Sequence, residues 1–403
     1  MIEEKNTDGP LFITTKGHLK DLFYLTGLFF IFTSFLLKST LIPEISSNFL
    51  FSGKFLIPLG LLFGFASFII SEKFTLTSML LITIIMPITL LTVYLTWAQS
   101  DLFIFTFMFI CGYSVNRDYI LSSILYIVTF EILLVIVLTK INIIPDLVYM
   151  RSIGVYRHSL GFIYPTDFAA HVSYLCFLYG WKKANRFNII DLILWLIIAY
   201  YLLLVTDARL DVGCIVLAVS FFFFFAHRSR WQKHRYIWLV NLFSSIAFPA
   251  MLLLSFWLIK LYDSSANIAI VADNILSGRL NLGSEALALY PISISGNEVF
   301  ENGLGSFAGY NANRALYGYF MIDSSYVRVV IIYGLISLAL VGLIIAISVK
   351  RIIKERNVFS GVVLIMVALH CFVAQFMLNP SYDLILMLAL TCPREYNVPR
   401  LHS

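Results

Sequence analysis

Residues 155–180 combine groups suited to acid–base chemistry and anion binding with the start of an apolar run. The stretch reads VYRHSLGFIYPTDFAAHVSYLCFLYG, and its charged or titratable side chains include Arg157, His158, Asp167 and His171. Because proline is tolerated at the first position of a helix, a helix is predicted to begin at Pro165. Asp167 and His171, four residues apart, then share one helical face. A histidine near a carboxylate suits general-base chemistry, whereas a lone helical histidine is more often a hydrogen-bonded structural residue.

Arginines recur in the polar segments that separate the later apolar runs. Six of them are Arg151, Arg157, Arg209, Arg279, Arg314 and Arg328. A guanidinium group stays charged and binds phosphate or carboxylate through two parallel hydrogen bonds. Arg209 lies in the short turn TDARLD between two apolar runs, which holds its charge at membrane level, while Asp207 and Asp211 suit helix ends. Anion binding is one reading of the set; salt bridges to loop acids are the alternative, with candidates Asp146, Asp273 and Glu298.

The composition predicts a membrane protein. Hydrophobic residues make up 60% of the 403 positions, charged residues 13%, and the mean hydropathy is +0.88. The net charge of +5 is spread along the chain without a block of one sign, which argues against nucleic-acid binding. Five cysteines occur singly in apolar runs, so they are interpreted as small core residues, and no metal or cofactor is expected.

Apolar runs long enough to form helices across a bilayer organise the whole chain. The predicted spans are 22–41, 55–71, 76–96, 101–115, 119–139, 166–181, 188–206, 211–226, 236–260, 325–349, 358–378 and 381–392. The predicted fold is all-α: a single integral membrane domain, residues 1–403, with about 12 transmembrane helices. Its two long extracytoplasmic loops are 140–165 and 261–324, and SEALALYPI in the second predicts a short amphipathic helix on the outer face. Glu131 and His370, inside spans, either line a polar cavity or bond a neighbouring helix.

Basic residues predict the orientation of these spans. With the N-terminus in the cytoplasm, eighteen of the 28 lysines and arginines fall inside, including those of KKANR, HRSRWQKHR and KRIIKER. Both termini are then cytoplasmic. The remaining ten comprise the six arginines and four lysines at helix ends, which can extend to the headgroups: Lys38, Lys54, Lys140 and Lys260.

Several short motifs, in order along the chain, resemble those of Wzy-type polysaccharide polymerases. They are YRHSLGFIYPTDFA, VTDARLD, LSGRL with a later GLGS, and DSSYVRVVIIYG. This family includes the O-antigen, capsule and exopolysaccharide polymerases and is related to the O-antigen ligases. The resemblance covers roughly residues 145–345. The family's turn commonly reads Thr-x-Ser-Arg, whereas Ala208 precedes Arg209 here, so a hydroxyl role at that position is not expected.

The resemblance implies a metal-independent membrane glycosyltransferase of the bacterial cytoplasmic membrane. Such an enzyme transfers a growing glycan from undecaprenyl pyrophosphate to the next lipid-linked repeat unit at the outer membrane face. The expected partners are the undecaprenyl-pyrophosphate-linked oligosaccharide, the lipid bilayer, and a chain-length regulator and flippase of the same pathway. Arginines are expected to stabilise the pyrophosphate leaving group: Arg151, Arg157, Arg209, Arg279 and Arg328. The general base or sugar-positioning groups are expected among His158, Asp167, His171 and Asp323.

Two other functions remain open at the level of the sequence. One is an O-antigen-ligase-like glycan transferase, and the other is a flippase or transporter of lipid-linked oligosaccharides. A transporter is expected to concentrate its charges midway through the bilayer, at broken or paired helices. The charges here gather at the outer ends of the predicted spans, which favours an enzyme acting at the membrane surface.

Overall fold

Most of the described chain is α-helical. The computed structural model describes residues 10–45, 53–70, 81–96, 100–112, 115–152, 154–228, 230–303, 305, 307, 310, 318–355 and 357–383. The first six helices are α1 Pro10–Lys38, α2 Ile42–Ile45, α3 Leu56–Ile70, α4 Met86–Thr96, α5 Asp101–Cys111 and α6 Arg117–Lys140. The others are α7 Pro165–Lys183, α8 Ile189–Thr206, α9 Arg209–Ala226, α10 Arg230–Asp263, α11 Asn267–Ile275, α12 Arg279–Leu289, α13 Ser325–Arg328, α14 Gly334–Lys354 and α15 Val358–Val373.

Within the described residues, six helical stretches are long and apolar enough to cross a membrane: Gly17–Lys38, Ile120–Lys140, Ile189–Thr206, Arg209–Ala226, Arg235–Asp263 and Ser325–Lys354. Four shorter apolar helices accompany them: Leu56–Ile70, Thr83–Thr96, Asp101–Cys111 and Val358–Val373. Several of these helices leave large apolar side chains exposed, such as Ile190, Ile197 and Leu204 on α8. Apolar surface of this extent is typical of a membrane interface. The predicted helical membrane protein is consistent with this architecture, while the count of twelve spans stays a prediction.

The four described cysteines, Cys111, Cys176, Cys214 and Cys371, are free and buried, as their apolar surroundings predicted. Cys392 lies outside the described residues.

The predicted loop 140–165 contains a β-hairpin that the all-α prediction did not include. Strand β1, Val148–Ser152, pairs antiparallel with β2, Val155–His158, and places Tyr149 opposite Arg157. Gly154 in the turn has a φ of +82°, a conformation that glycine adopts without strain. The hairpin gives the arginines of this loop fixed positions, which an irregular loop would not.

Both ends of α8 are sharply defined. At its start, Asn188 caps the helix by accepting hydrogen bonds from the backbone N–H groups of Ile190 and Asp191. The helix ends at Asp207, which has a left-handed backbone with φ of 45°, a conformation that aspartate tolerates better than most residues. Since α9 begins at Arg209, only two residues separate the helices. Asp211, expected at a helix start, lies in the first turn of α9.

The predicted continuous span 325–349 is interrupted at Gly334. Its φ of +81° breaks the helix after the π-turn Val329–Tyr333, and a Cβ atom there would lie 2.3 Å from the backbone nitrogen of Gly296. The released N–H groups of Leu335 and Ile336 donate to the carbonyls of Ser293 and Ile294 at 3.1 and 3.2 Å. Carbonyl groups of the 291–297 loop thus accept hydrogen bonds from the N–H groups that the helix break leaves without helical partners. Backbone that is not helical needs such partners inside a membrane.

The predicted span 358–378 also ends early, at Val373. Ser325 supplies hydrogen bonds to the backbone that follows this helix. Its hydroxyl donates to the Ala374 carbonyl at 2.5 Å and accepts from the Met377 N–H at 3.2 Å. The first three residues of the predicted span 381–392 lie in turns or irregular backbone rather than a helix, and the rest lies outside the described residues.

Candidate functional site

Arg151 and Asp207 together connect three separate segments of the chain. Its Oδ2 accepts from Arg151 Nη1 of the hairpin at 2.9 Å, and its Oδ1 accepts from Arg209 Nε at 3.1 Å. The same Nη1 of Arg151 donates to the Asp207 carbonyl at 3.0 Å. Arg151 Nη2 then donates to Ser277 Oγ at 2.7 Å, in the joint between α11 and α12. The hairpin, the α8–α9 turn and the 261–324 loop therefore hold one another in place.

Arg157 is buried beside this junction. Its Nε donates to the Thr206 carbonyl at 2.7 Å, and its guanidinium group lies 5.4 Å from the centre of the Tyr164 ring. Burial lowers the pKa of Arg157, and so does the positive charge of Arg151 and Arg279, whereas Asp207 and Tyr164 oppose the change. A guanidinium group nevertheless remains protonated in proteins. Arg157 therefore adds a positive charge that is bound by a carbonyl and a ring, not by a carboxylate.

Arg279, the first residue of α12, supplies the fourth positive charge. Its Nε lies 3.2 Å from Asp323 Oδ2, an ion pair not aligned as a hydrogen bond, and its Nη1 donates to the Leu276 carbonyl at 2.9 Å. Burial raises the pKa of Asp323, and the neighbouring Arg279 opposes that rise. Both side chains line a cavity of about 20 Å³ together with Ser324, whose buried hydroxyl has no hydrogen-bond partner in the described part of the chain. The cavity is large enough for one water molecule.

Positive charge exceeds negative charge in this group. We call Arg151, Arg157, Arg209 and Arg279 the arginine cluster; its contacting carboxylates are Asp207 and Asp323. Four guanidinium groups against two carboxylates leave an excess of two. Arg209 has a side chain 70% exposed, and its guanidinium end extends beyond its contact with Asp207. The arrangement is suited to an anion with several phosphate oxygens.

Arg328, predicted with the others, lies next to the arginine cluster and has its own partner. Its Nη1 is 2.5 Å from Glu301 Oε1, which also accepts from the Ile322 N–H at 3.0 Å. Arg314 lies outside the described residues. Salt bridges to acids, the alternative reading, thus describe Arg328 well and Arg151, Arg209 and Arg279 in part. The acids expected as partners have other contacts: Asp146 binds His158, and Asp273 accepts from the backbone of Leu280.

His158 points away from Arg157. Successive strand residues face opposite sides of a sheet, and His158 Nδ1 lies 2.8 Å from Asp146 Oδ2 on the far side. Asp146 also accepts from the Leu160 N–H at 2.8 Å. This contact closes the base of the hairpin.

Asp167 and His171 occupy different environments despite their shared helix. Asp167, in the first turn of α7, is half-buried and lies close enough to Asp211 and Asp323 to interact with their charges. His171, one turn deeper, is buried; its Nε2 is 3.0 Å from Ser39 Oγ, and its ring stacks on Tyr382 at 3.9 Å. Of the two, only Asp167 lies near Asp323, which pairs with Arg279 of the arginine cluster.

Sequence reasoning did not anticipate a buried pair that joins α9 to α15. His370 Nε2 lies 2.8 Å from Asp211 Oδ1, and both side chains are almost completely buried. Glu131 likewise accepts a short hydrogen bond from Thr33 of α1. Glu131 and His370, which the sequence places inside predicted spans, therefore each form a hydrogen bond with a neighbouring helix. The only sequence signal was a polar residue on each apolar helix, which does not identify its partner.

The arginine cluster, with Asp323 and the partly exposed Asp167 at its edge, is the candidate anion-binding surface of the described chain. No protein-family model, curated protein or solved structure matches this chain.

Proposed function

We propose that the protein is a membrane glycosyltransferase that polymerises oligosaccharide repeat units carried on undecaprenyl pyrophosphate. The observation that carries the proposal is the arginine cluster, in which guanidinium groups from three chain segments converge with an excess of two positive charges. Pyrophosphate is the leaving group of the proposed transfer. Donors held in place before the reaction stabilise such developing charge without a cost of reorganisation.

The proposed reaction assigns a role to each part of the site. The bond between the anomeric carbon of the growing chain and the pyrophosphate oxygen breaks, while an acceptor hydroxyl oxygen bonds to that carbon. Arg157, Arg209 and Arg279 bind the departing pyrophosphate. The hydroxyl proton passes to a carboxylate, and Asp167 and Asp323 are the two predicted base candidates that lie beside the arginine cluster.

The proposal requires the arginine cluster to face the outside of the cell. Both termini are then cytoplasmic, in agreement with the distribution of lysine and arginine. Single cysteines replacing the exposed residues Tyr156 and Glu298, in a chain with its five cysteines removed, are expected to react with a membrane-impermeant thiol reagent in intact cells. Arg186→Cys is the control expected to be protected. If only the Arg186→Cys protein reacts, the orientation is the opposite of the one proposed.

The decisive experiment separates transfer from translocation. In a strain lacking its own copy of the gene, Arg157→Ala is expected to leave single repeat units on the cell surface and remove long chains. The loss of one charge-stabilising group costs roughly a hundredfold or more in rate. The measurements are the size profile of the surface glycan and the accessibility of lipid-linked units in intact cells. Arg228→Ala, an exposed arginine at the opposite end of α9, is the matched control.

A lipid-linked oligosaccharide flippase is the second candidate because two observations favour it. The helix that contains Gly334 is discontinuous, and the Asp211–His370 pair lies buried between helices. Broken helices and buried charges mark the substrate sites of many transporters. In that case Arg157→Ala would trap repeat units on the cytoplasmic side. If surface units instead accumulate on a different lipid acceptor without chain growth, the ligase-like alternative is supported.

A further inference from the structure

Helix α11, Asn267–Ile275, exposes an apolar stripe although it belongs to the polar loop 261–324. Ile268, Val271 and Ile275 are 67%, 58% and 78% exposed. Their spacing of three and four residues places them on one side of the helix. Ala269 and Asp273 on the opposite side are buried. The amphipathic helix predicted for this loop at SEALALYPI lies partly in α12, but the stronger amphipathic pattern belongs to α11.

The position of α11 along the chain places it at the end of a candidate span. The stretch Arg235–Asp263 ends three residues before α11 begins, and Trp257 near that end is 55% exposed. Tryptophan is common where a helix leaves the hydrocarbon layer. Three connecting residues span at most about 11 Å. The start of α11 therefore lies near the membrane boundary.

The far side of the same loop is also held at membrane level. The carbonyls of Ser293 and Ile294 accept from Leu335 and Ile336, which belong to the candidate span Ser325–Lys354. Between these anchors, α12 packs against the end of α10, where Gly283 approaches Ile259 closely. Ser284 donates a hydrogen bond to Asp263 in the same contact. The loop is thus fixed to two candidate spans, one on each side of α12.

We propose that α11 lies in the plane of the membrane, with Ile268, Val271 and Ile275 in the acyl region of the adjacent leaflet. The occupant of this apolar face is the lipid bilayer, because α11 follows by three residues a candidate span whose last turns expose Leu253 and Trp257. Asn267 and Asn274 flank the stripe and remain in the headgroup layer. The identity of the leaflet as the outer one rests on the proposed function, but the membrane contact itself does not.

This contact fixes the depth of the arginine cluster. Ser277, two residues beyond α11, accepts the hydrogen bond from Arg151, and Arg279 follows two residues later. A helix lying in the interface therefore holds these guanidinium groups at the level of lipid phosphates. A lipid-anchored pyrophosphate reaches that level without leaving the bilayer, whereas a water-soluble nucleotide sugar has no reason to concentrate there.

The test places an environment-sensitive fluorophore on single cysteines at Val271 or Asn274 in the full-length, otherwise cysteine-free protein, reconstituted into phosphatidylglycerol–phosphatidylcholine vesicles. The probe at 271 is expected about 5–10 Å below the headgroup boundary, quenched by nitroxide-labelled lipid and shielded from iodide. The probe at 274 is expected at a shallower depth, with greater iodide quenching. Ile275→Cys provides a second position in the stripe.

Each outcome decides the proposal. Strong iodide quenching at both 271 and 275 would overturn it by placing α11 in water. Shielding from iodide without quenching by labelled lipid would also overturn it, because another part of the protein would then cover the stripe. The measurement requires no glycan substrate, so its failure is distinct from failure of the proposed transferase activity. As a functional comparison, Val271→Glu is expected to shorten the surface glycan, while Asn274→Glu leaves its length unchanged.

Discussion

The two ends of helix α6 lead to arginines in opposite electrostatic situations. At its start, Arg117 donates from both Nη atoms to the two carboxylate oxygens of Glu355 at 2.6 and 2.7 Å, and its guanidinium group lies 5.2 Å from the Trp181 ring centre. Beyond its other end, roughly 36 Å away, the hairpin carries Arg151 and Arg157 into a group with more cations than carboxylates.

The comparison shows that the partners of an arginine indicate its role better than its location does. The Arg117–Glu355 pair is complete: every strong contact is made within the protein, and the pair links the start of α6 to the end of α14. The arginine cluster is incomplete, since its four guanidinium groups share two contacting carboxylates among the described residues, and the side chain of Arg209 is largely exposed. A complete pair holds helices together, whereas an incomplete one is available to an anion.

The largest expected effect tests the structural half of this comparison. Arg117→Met leaves the largely buried Glu355 unpaired, which is expected to cost up to about 3 kcal/mol of stability. Thermal unfolding in detergent and the amount of inserted protein measure this loss. Glycan length per folded molecule is expected to remain normal. The double variant Arg117→Met with Glu355→Leu is expected to recover most of the stability; if Arg117→Met shortens the glycan at full protein level, the division of roles is wrong.

Arg209→Lys tests the binding half, with a smaller free-energy effect. Lysine keeps the charge but loses the planar pair of donors, so polymer formation is expected to fall on the order of tenfold to a hundredfold. The protein level and thermal stability are expected to stay unchanged because the side chain is exposed. The rate of glycan elongation and the accumulated protein are measured together. Equal activity with lysine would reduce Arg209 to a point charge.

A pH profile of the reaction tests whether Asp323, which pairs with Arg279 of the arginine cluster, acts as the proton acceptor. Burial raises its pKa, so a reaction that needs the carboxylate loses rate as the pH falls through that raised value. Arg279 opposes the rise; removing its charge in Arg279→Gln is expected to move the acidic limb to higher pH. The rate of elongation in membrane vesicles is measured across the acidic range. An unmoved limb, with activity still measurable, would assign the titration to another group such as Asp167.

The smallest effect is expected at His158. Its contact with Asp146 closes the hairpin on the side away from Arg157, so His158→Gln is expected to reduce elongation less than tenfold. Asp146→Asn, which weakens the same contact, should have a similar effect. A loss comparable to that of Arg157→Ala would instead make His158 the proton acceptor.

The helical membrane class was predictable because it depends on long apolar runs, each readable within about 20 residues. The helix starts at Pro165 and after Asn188 also follow from local chemistry. The hairpin was missed because its strands are only five and four residues long and sit in a loop with no strong alternation. The break at Gly334 was missed because it depends on carbonyls supplied by residues 293–294, some forty positions earlier.

The candidate site shows the same division between local and distant information. The arginines were identifiable from their residue type and their place between spans. The contact between Asp207 and Arg209 could be anticipated, because the two residues are only two positions apart. The contact between Asp207 and Arg151 spans 56 positions. The Asp211–His370 pair spans 159 positions. Such pairings arise from tertiary packing, for which a single sequence contains no direct signal.

The shared Asp207 junction has a consequence for the order in which the protein is made. Arg151 and Arg157 leave the ribosome about fifty residues before Asp207, and Ser277 and Arg279 follow some seventy residues after it. A nascent chain arrested behind α9 would contain the hairpin and the turn but neither Arg279 nor Asp323. The arginine cluster is therefore completed late in synthesis, and a half-inserted chain lacks the surface on which the proposed lipid-linked substrate would bind.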